Sequence, residues 1–365
     1  MKLTLDKDIF LEHLSLAIKF SSGRNAALSS LQGVLVHLKD QTLHLYTTNL
    51  NVFFHSQIKT ETTGEIKVVL EPRRIIEFVS LLNTGNITLE IKDQSVIITQ
   101  GKTKGTFSIM EMQDFPMPPV MDDGELNVKT DIFKHYVPFV QFAASRDETR
   151  PSLTAVNFVI QDDGLLLVAT DGFRLSLAKI KEKMPFESML LPGEFLSEVI
   201  RLIKKEKTVG FSASKKEKIV CFTIGDVQLY SRLIDGDFPP FGKVIPASHE
   251  TRVVFDREEM IRNVKLVSVF ARDFSNIVIF DIQKGGIQVR PKTDQEDAMG
   301  SFQDAQVKGE PVKIAFNFKF VLDFLQHISS KEVIMELLRS DAPAVFKEEN
   351  VEDAFHIIMP VRIQT

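Results

Sequence analysis

Three short strings hold the residues best suited to chemistry. The string at 168–175 reads Val-Ala-Thr-Asp-Gly-Phe-Arg-Leu. Its Thr170, Asp171 and Gly172 are strong turn chemistry, since Asp bonds nearby backbone N–H groups and Gly supplies positive φ. By itself this string reads as a hairpin turn. The string at 146–153 reads Arg-Asp-Glu-Thr-Arg-Pro-Ser-Leu, and either offers Arg146 and Arg150 to phosphate or forms a charged surface loop. The string at 355–363 reads Phe-His-Ile-Ile-Met-Pro-Val-Arg-Ile and has the pattern of a buried or edge strand. An enzyme reading would join Asp147 and Asp171 to Arg150 and Arg174 as a phosphoesterase-like cluster. No base, nucleophile or ligand set stands at the spacing such chemistry needs. Walker A, GxGxxG, HExxH and CxxC patterns are absent. The histidines read as scattered: His13, His135 and His327 on helical stretches, and His37, His44, His55 and His356 in strand-like runs. No metal site and no cofactor is read from them.

The elements that must position these strings repeat along the chain. An apolar triplet at i, i+4, i+7 recurs six times: Phe10, Leu14, Ala17; Ile75, Val79, Leu82; Phe133, Val137, Val140; Phe195, Val199, Leu202; Met260, Val264, Val267; Val321, Leu325, Ile328. That spacing lines one stripe of an α-helix, and starts roughly 60 residues apart mark an internal repeat. A strand precedes each helix, at 2–5, 65–70, 125–129, 188–191, 252–255 and 311–315. Asp6, Thr130 or Asp131, Asp256 and Asn317 suit the caps, and Pro72 and Pro192 the first helical turns. About three alternating strands follow each helix. The unit is β-α-β-β-β, and the fold class is α+β, antiparallel sheets covered on one face by helices. Asp-Phe-Pro strings at 114–116 and 237–239 close the second and fourth units. Three domains follow, at 1–124, 125–248 and 249–365.

A helix that buries one stripe leaves its other face polar. Those faces carry Lys7 and Lys19, Arg73 and Arg74, Lys134 and His135, Arg201, Lys204 and Lys205, then Arg257, Arg262, Lys265 and Arg272, and Lys319 and His327. If the three domains follow an arc, these faces line a weakly positive concavity. The chain as a whole is acidic, with a formal net charge of −5 over 365 residues, so any nucleic-acid surface must be local. The single cysteine, Cys221, lies in an apolar run and reads as a buried, inert thiol. No apolar run is long enough to span a bilayer. The charged first ten residues do not form a secretory h-region, so the cytoplasm is the expected compartment.

Taken together, the Ala-Thr-Asp-Gly-x-Arg-Leu, Glu-Thr-Arg-Pro-x-Leu and Asp-Gly-x-Phe-Pro strings and the Met-Pro-x-Arg tail resemble the bacterial DNA polymerase III beta subunits, the sliding clamps. The resemblance covers essentially the whole chain. It implies three duplicated domains with helices lining a central hole and sheets outside. It also implies a head-to-tail homodimer around double-stranded DNA, with no catalytic residues and no cofactor. By resemblance, Arg24 and Arg73 match DNA contacts, and Arg146 is the best local match to another.

The same resemblance implies a pocket for short linear peptides of the replicative polymerase, the clamp loader and repair proteins. Thr170, Gly172, Phe173, Arg174 and Leu175 match its first wall. Leu153 and Val244 match its floor, with Pro239 and Lys243 beside them. Phe274 matches a third-domain side, and Ile357, Ile358, Met359, Pro360, Val361, Arg362 and Ile363 a C-terminal wall. Phe107 and Ile109 should meet Val269 and Phe270 across the dimer. Phe173 stands where many members carry His, and Pro151 and Ser152 where some carry two tyrosines. The competing readings are the phosphoesterase-like cluster and a repeat scaffold that binds peptides without DNA.

Overall fold

The computed structural model describes all residues except 24–27, 113, 122–123, 185, 273–274, 293–299 and 363–365. Six helices hold fifteen of the eighteen triplet residues: α1 (Lys7–Ala17), α2 (Pro72–Ser80), α3 (Val137–Gln141), α4 (Gly193–Leu202), α5 (Arg257–Ala271) and α6 (Phe318–His327). Leu82 and Ile328 lie just past α2 and α6, and Phe133 in the turn before α3. Sixteen of the eighteen triplet residues are buried. Leu82 and Leu202 are half-buried, because the helix has ended or is ending there.

Local chemistry starts most of these helices. Asp6 accepts the N–H groups of Asp8 and Ile9 at 2.9 and 3.0 Å, Asp256 that of Glu259 at 2.9 Å, and Asn317 that of Lys319 at 3.0 Å. Each satisfies donors left open at a helix start. Glu71 caps α2 from its side chain with Pro72 in the first turn, a cap that lay unread beside the proline. Two expectations need correction. Neither Thr130 nor Asp131 caps the third helix; Thr130 Oγ1 donates to the carbonyls of Glu206 and Lys207. The third helix instead begins as a π turn, Ile132–Tyr136, with Pro138 just beyond it. Proline has no N–H for the regular ladder. Pro192 ends the strand Met189–Pro192 rather than opening α4.

The chain forms two compact units: Met1–Thr130 with Glu198–Leu233, and Asp131–Ser197 with Ile234–Thr365. Each holds one antiparallel sheet of twelve strands among the described residues. The first sheet runs from Lys2–Asp6 to Leu126–Lys129, and its middle join pairs Val52–Lys59 with Val227–Arg232. The second runs from Met189–Pro192 to Val312–Asn317, and Arg174–Ile180 pairs there with Ala354–Ile358. Residues far apart in sequence therefore share one sheet.

The histidines His37, His44 and His55 are aligned rather than scattered. Register places His37 opposite His44, and Tyr46 opposite His55, on three adjacent strands. His55 also bonds Gln228 through Nδ1 at 2.8 Å. Lys7 is likewise not on a polar face: it is buried, with Nζ 3.0 Å from Asp8. Cys221 is buried as read. Among the described residues no helix is long and apolar enough to cross a membrane.

Candidate binding pocket

The string at 168–175 folds as a hairpin between the strands Gly164–Thr170 and Arg174–Ile180. Thr170 Oγ1 donates to the carbonyl of Arg174 at 2.5 Å and accepts the N–H of Gly172 at 3.0 Å. The Asp171 carboxylate accepts the N–H groups of Phe173 and Arg174 at 2.9 and 3.1 Å. Gly172 sits at φ +93°, where a side chain is strained. The turn reading is thus correct, and the turn also forms a wall.

Behind it lies a cavity of about 220 Å³. Its lining is Leu153, Thr170, Gly172, Arg174, Leu175, Pro239, Pro240, Phe241, Val244, Ile357 and Met359. Strand alternation turns Leu166, Val168, Leu175, Leu177 and Ile357 to one face of the sheet. Phe238, Phe241, Val244 and Ile245 of the connector pack on that face. The C-terminal segment closes the other side: Leu175 pairs with Ile357, Met359 N–H donates to Phe173 O at 2.9 Å, and Val361 N–H to Ala315 O at 2.8 Å. An apolar cavity with a few polar groups at its edge suits an aliphatic or aromatic anchor.

Nine of the expected residues line this cavity. Pro240 and Phe241 were missed; the apolar Phe-Pro-Pro-Phe run at 238–241 was the signal for them. Other expected residues lie off the lining. Phe173 is 60% exposed at the hairpin tip, and Lys243 is exposed on the short turn Gly242–Val244. Ile358 is fully buried, since alternation turns it to the opposite face from Ile357. Pro360, Val361 and Arg362 follow Met359 beyond the lining. Phe274 and Ile363 lie outside the described residues.

Arg174 is the charged member of the lining, and its side chain is only 10% exposed. Its Nε lies 3.0 Å from Asp171 Oδ2 and its Nη1 2.5 Å from Asp323 Oδ2 on α6. The guanidinium carbon stands 4.7 Å from the ring centre of Phe320 and 5.6 Å from that of Phe142.

The hairpin has a copy in the other unit. Thr48 Oγ1 donates to Val52 O and accepts Leu50 N–H, and Asn49 accepts the N–H groups of Asn51 and Val52. Leu50 takes φ +74° where the second unit has Gly172. Arg232 N–H bonds Asn51 O as Met359 N–H bonds Phe173 O. Register then equates Phe53 with Leu175 and Tyr230 with Ile357. The copy carries larger side chains at all three positions.

Family models match the chain in succession. The DNA polymerase III beta subunit N-terminal domain matches residues 1–119, the central domain 127–240 and the C-terminal domain 242–362. The chain belongs to the DNA polymerase III beta subunit family. The beta sliding clamp of Bacillus subtilis (strain 168) is 26% identical over 380 residues, spanning 99% of this chain and 100% of that one. The crystal structure of the Thermotoga maritima DNA polymerase III beta subunit covers 100% of both chains at a TM-score of 0.90 and 27% identity. A Bartonella birtlesii sliding clamp solved bound to griselimycin also covers 100% of both, at 0.90 and 25%. The three-domain α+β fold is that of the beta subunits.

The basic residues expected at a beta subunit's DNA surface fall on both units. In the first, Arg73 and Arg74 are exposed on α2 and Lys205 is exposed after α4. Arg201 pairs with Glu198, and Lys204 Nζ lies 2.8 Å from Glu12. That bond holds the Glu12 carboxyl below its usual range and raises Lys204. In the second, Arg146 is exposed and Lys134 half-buried in the π turn. Arg150 Nε is 3.2 Å from Asp147, whose carboxyl is lowered first by Thr149 and then by Arg150. Arg24 lies outside the described residues. Asp147 and Asp171 are each engaged by nearby hydroxyl, N–H or guanidinium groups. No three His, Cys, Asp or Glu side chains converge on a metal geometry among the described residues.

The expected dimer residues are half-buried on the first unit and exposed on the second. Phe107 and Ile109 lie on Thr103–Met110, which pairs along one side with Ser95–Gln100 and on the other only at Ile109 and Met110. Phe107 is half-buried edge-on against Phe78, ring centres 5.4 Å apart. On the other unit Val269 and Phe270 are 58% and 45% exposed on α5.

Proposed function

We propose that this chain works as a sliding clamp, a non-catalytic processivity factor of a DNA polymerase III holoenzyme. Two copies join head to tail and close a ring on double-stranded DNA. Phe107 and Ile109 of one copy meet Val269 and Phe270 of the other. The domains are 1–124, 125–248 and 249–365, and the helices line the hole. The work is topological: a ring that stays on the duplex keeps a polymerase at high effective concentration near the primer end. Sliding requires weak, sequence-neutral phosphate contact, because strong neutralisation of many phosphates makes binding tight and salt-sensitive. A chain of net charge −5 with modestly basic helix faces suits that need. Arg24, Arg73, Arg74, Lys134, Arg146, Arg150, Arg201, Lys204 and Lys205 are the phosphate-facing residues in this reading. The compartment is the cytoplasm.

The observation that carries the reading is the cavity between the Gly172 hairpin and the C-terminal strand, in a chain that matches the beta subunits from end to end. The cavity is the docking site for short linear peptides of the polymerase, the clamp loader and repair proteins, which enter by apolar anchors. The test is retention on DNA. A dimer of twice 41.3 kDa should stay on a nicked circle and be lost once the circle is cut. Equal loss from circle and line would overturn the clamp reading. Removal of residues 359–365 should abolish griselimycin binding and leave the dimer intact; retained binding would place the site elsewhere.

A further inference from the structure

Arg174 poses a problem for an apolar pocket. The other ten lining residues carry no charge, yet an arginine stands among them with its side chain only 10% exposed. A buried charge needs partners, and its direction follows from where they stand. Asp171 is local and part of the turn itself, already holding two backbone N–H groups. Asp323 is different: it is 149 positions away in sequence and stands on α6. Phe320, one helical turn before it, offers its ring face to the same guanidinium at 4.7 Å, and Phe142 gives a second face. Charged and aromatic partners on α6 thus draw the arginine head to that helix and leave its aliphatic stem to the cavity. The C-terminal wall is tied to the same part of the fold, through Val361 N–H and Ala315 O, just before α6.

We propose that Asp323 is a positioning residue for the pocket. It holds the Arg174 guanidinium out of the cavity and so keeps the wall apolar for the incoming anchor. Without it, Arg174 keeps Asp171 but loses its outer tether, and its head turns toward the cavity. The proposal rests on the reading of this cavity as the peptide site, and the ligand class is an uncharged, apolar-anchored peptide segment.

Griselimycin is the probe, with the full chain in every arm. Asp323→Ala should weaken binding about tenfold, and Asp323→Asn, which keeps an acceptor for Nη1, should recover part of that loss. In an Arg174→Met background, where a stem remains but no charge, Asp323→Ala should change nothing further. A merely structural role for Asp323 would show the same loss in both backgrounds, and that result would overturn the proposal, as would wild-type affinity in Asp323→Ala. A ligand-free arm separates this from the pocket reading. The Arg174 Nη1–H resonance should exchange slowly in the wild type and quickly in Asp323→Ala, while Nε–H stays on Asp171 in both. Failure of the wild type to bind griselimycin would sink the pocket reading, while an unchanged Arg174 resonance would sink the role of Asp323.

Discussion

His44 Nδ1 and His55 Nε2 face each other 2.9 Å apart across neighbouring strands. One ring must donate and the other accept, so the pair survives only while at least one ring is neutral. Burial pushes His44 down to about 4, helped by the nearby His55 and His37, and burial also lowers His55. Both rings therefore bind protons more weakly folded than unfolded. The stability they contribute is present above the ordinary imidazole value of 6.5 and is lost as pH falls from there toward 4. The urea midpoint should drop between pH 7 and pH 5. His44→Phe should shrink the matching loss of unfolding free energy by about 1 kcal/mol, discounted for the solvent reaching the ring. An unchanged pH dependence in the variant would refute this account of the pair.

Burial pushes the Cys221 thiol up to about 12, from an ordinary 9.0. At pH 8 that lowers the thiolate fraction about a thousandfold. Disulfide-exchange reagents should label the native chain very slowly and the urea-unfolded chain at once. Prompt labelling of the native chain would contradict the buried placement.

The hairpin copy makes a prediction about Gly172. Leu50 shows that this turn accepts leucine at positive φ, and a Cβ at Gly172 would meet only Arg150 Nη1, at 3.8 Å. Gly172→Leu should therefore fold, at a cost of about 1–2 kcal/mol for the left-handed backbone. Its side chain should narrow the cavity and weaken griselimycin binding by about tenfold or more, equivalent to about 1.4 kcal/mol. Calorimetry of binding beside thermal unfolding separates the two effects.

Phe270 is 45% exposed and outside the α5 core stripe of Met260, Val264 and Val267. Phe270→Asp should leave the unfolding midpoint within about 0.5 kcal/mol, as a surface change does. It should nonetheless shift sedimentation from the dimer to a 41.3 kDa monomer and abolish retention on circular DNA. A dimer of undiminished affinity would place the interface elsewhere.

Much of this molecule was legible in local order. The triplets Phe10, Leu14, Ala17 and Met260, Val264, Val267 lie in the core, and Asp6, Asp256 and Asn317 cap the helices they precede. Thr170, Asp171 and Gly172 make the expected turn. All of these depend on partners within a few positions, so periodicity and side-chain chemistry decide them before any tertiary contact forms. The family strings pointed to the cavity, and nine of its lining residues followed from them.

Tertiary structure decided the rest. Three histidines on separate strands became a row only when register set His37 beside His44 and His55 beside Tyr46. Lys7, charged and near a helix start, was read as surface and is buried. Phe241 became part of the cavity because its connector crosses the sheet face of Leu175 and Ile357. Asp323 met Arg174 because a strand and a helix from distant parts of the chain packed together. Spacing along a chain sets which residues share a face of one element. Which faces meet depends on the strand register and helix packing of the whole unit, and local spacing does not record them.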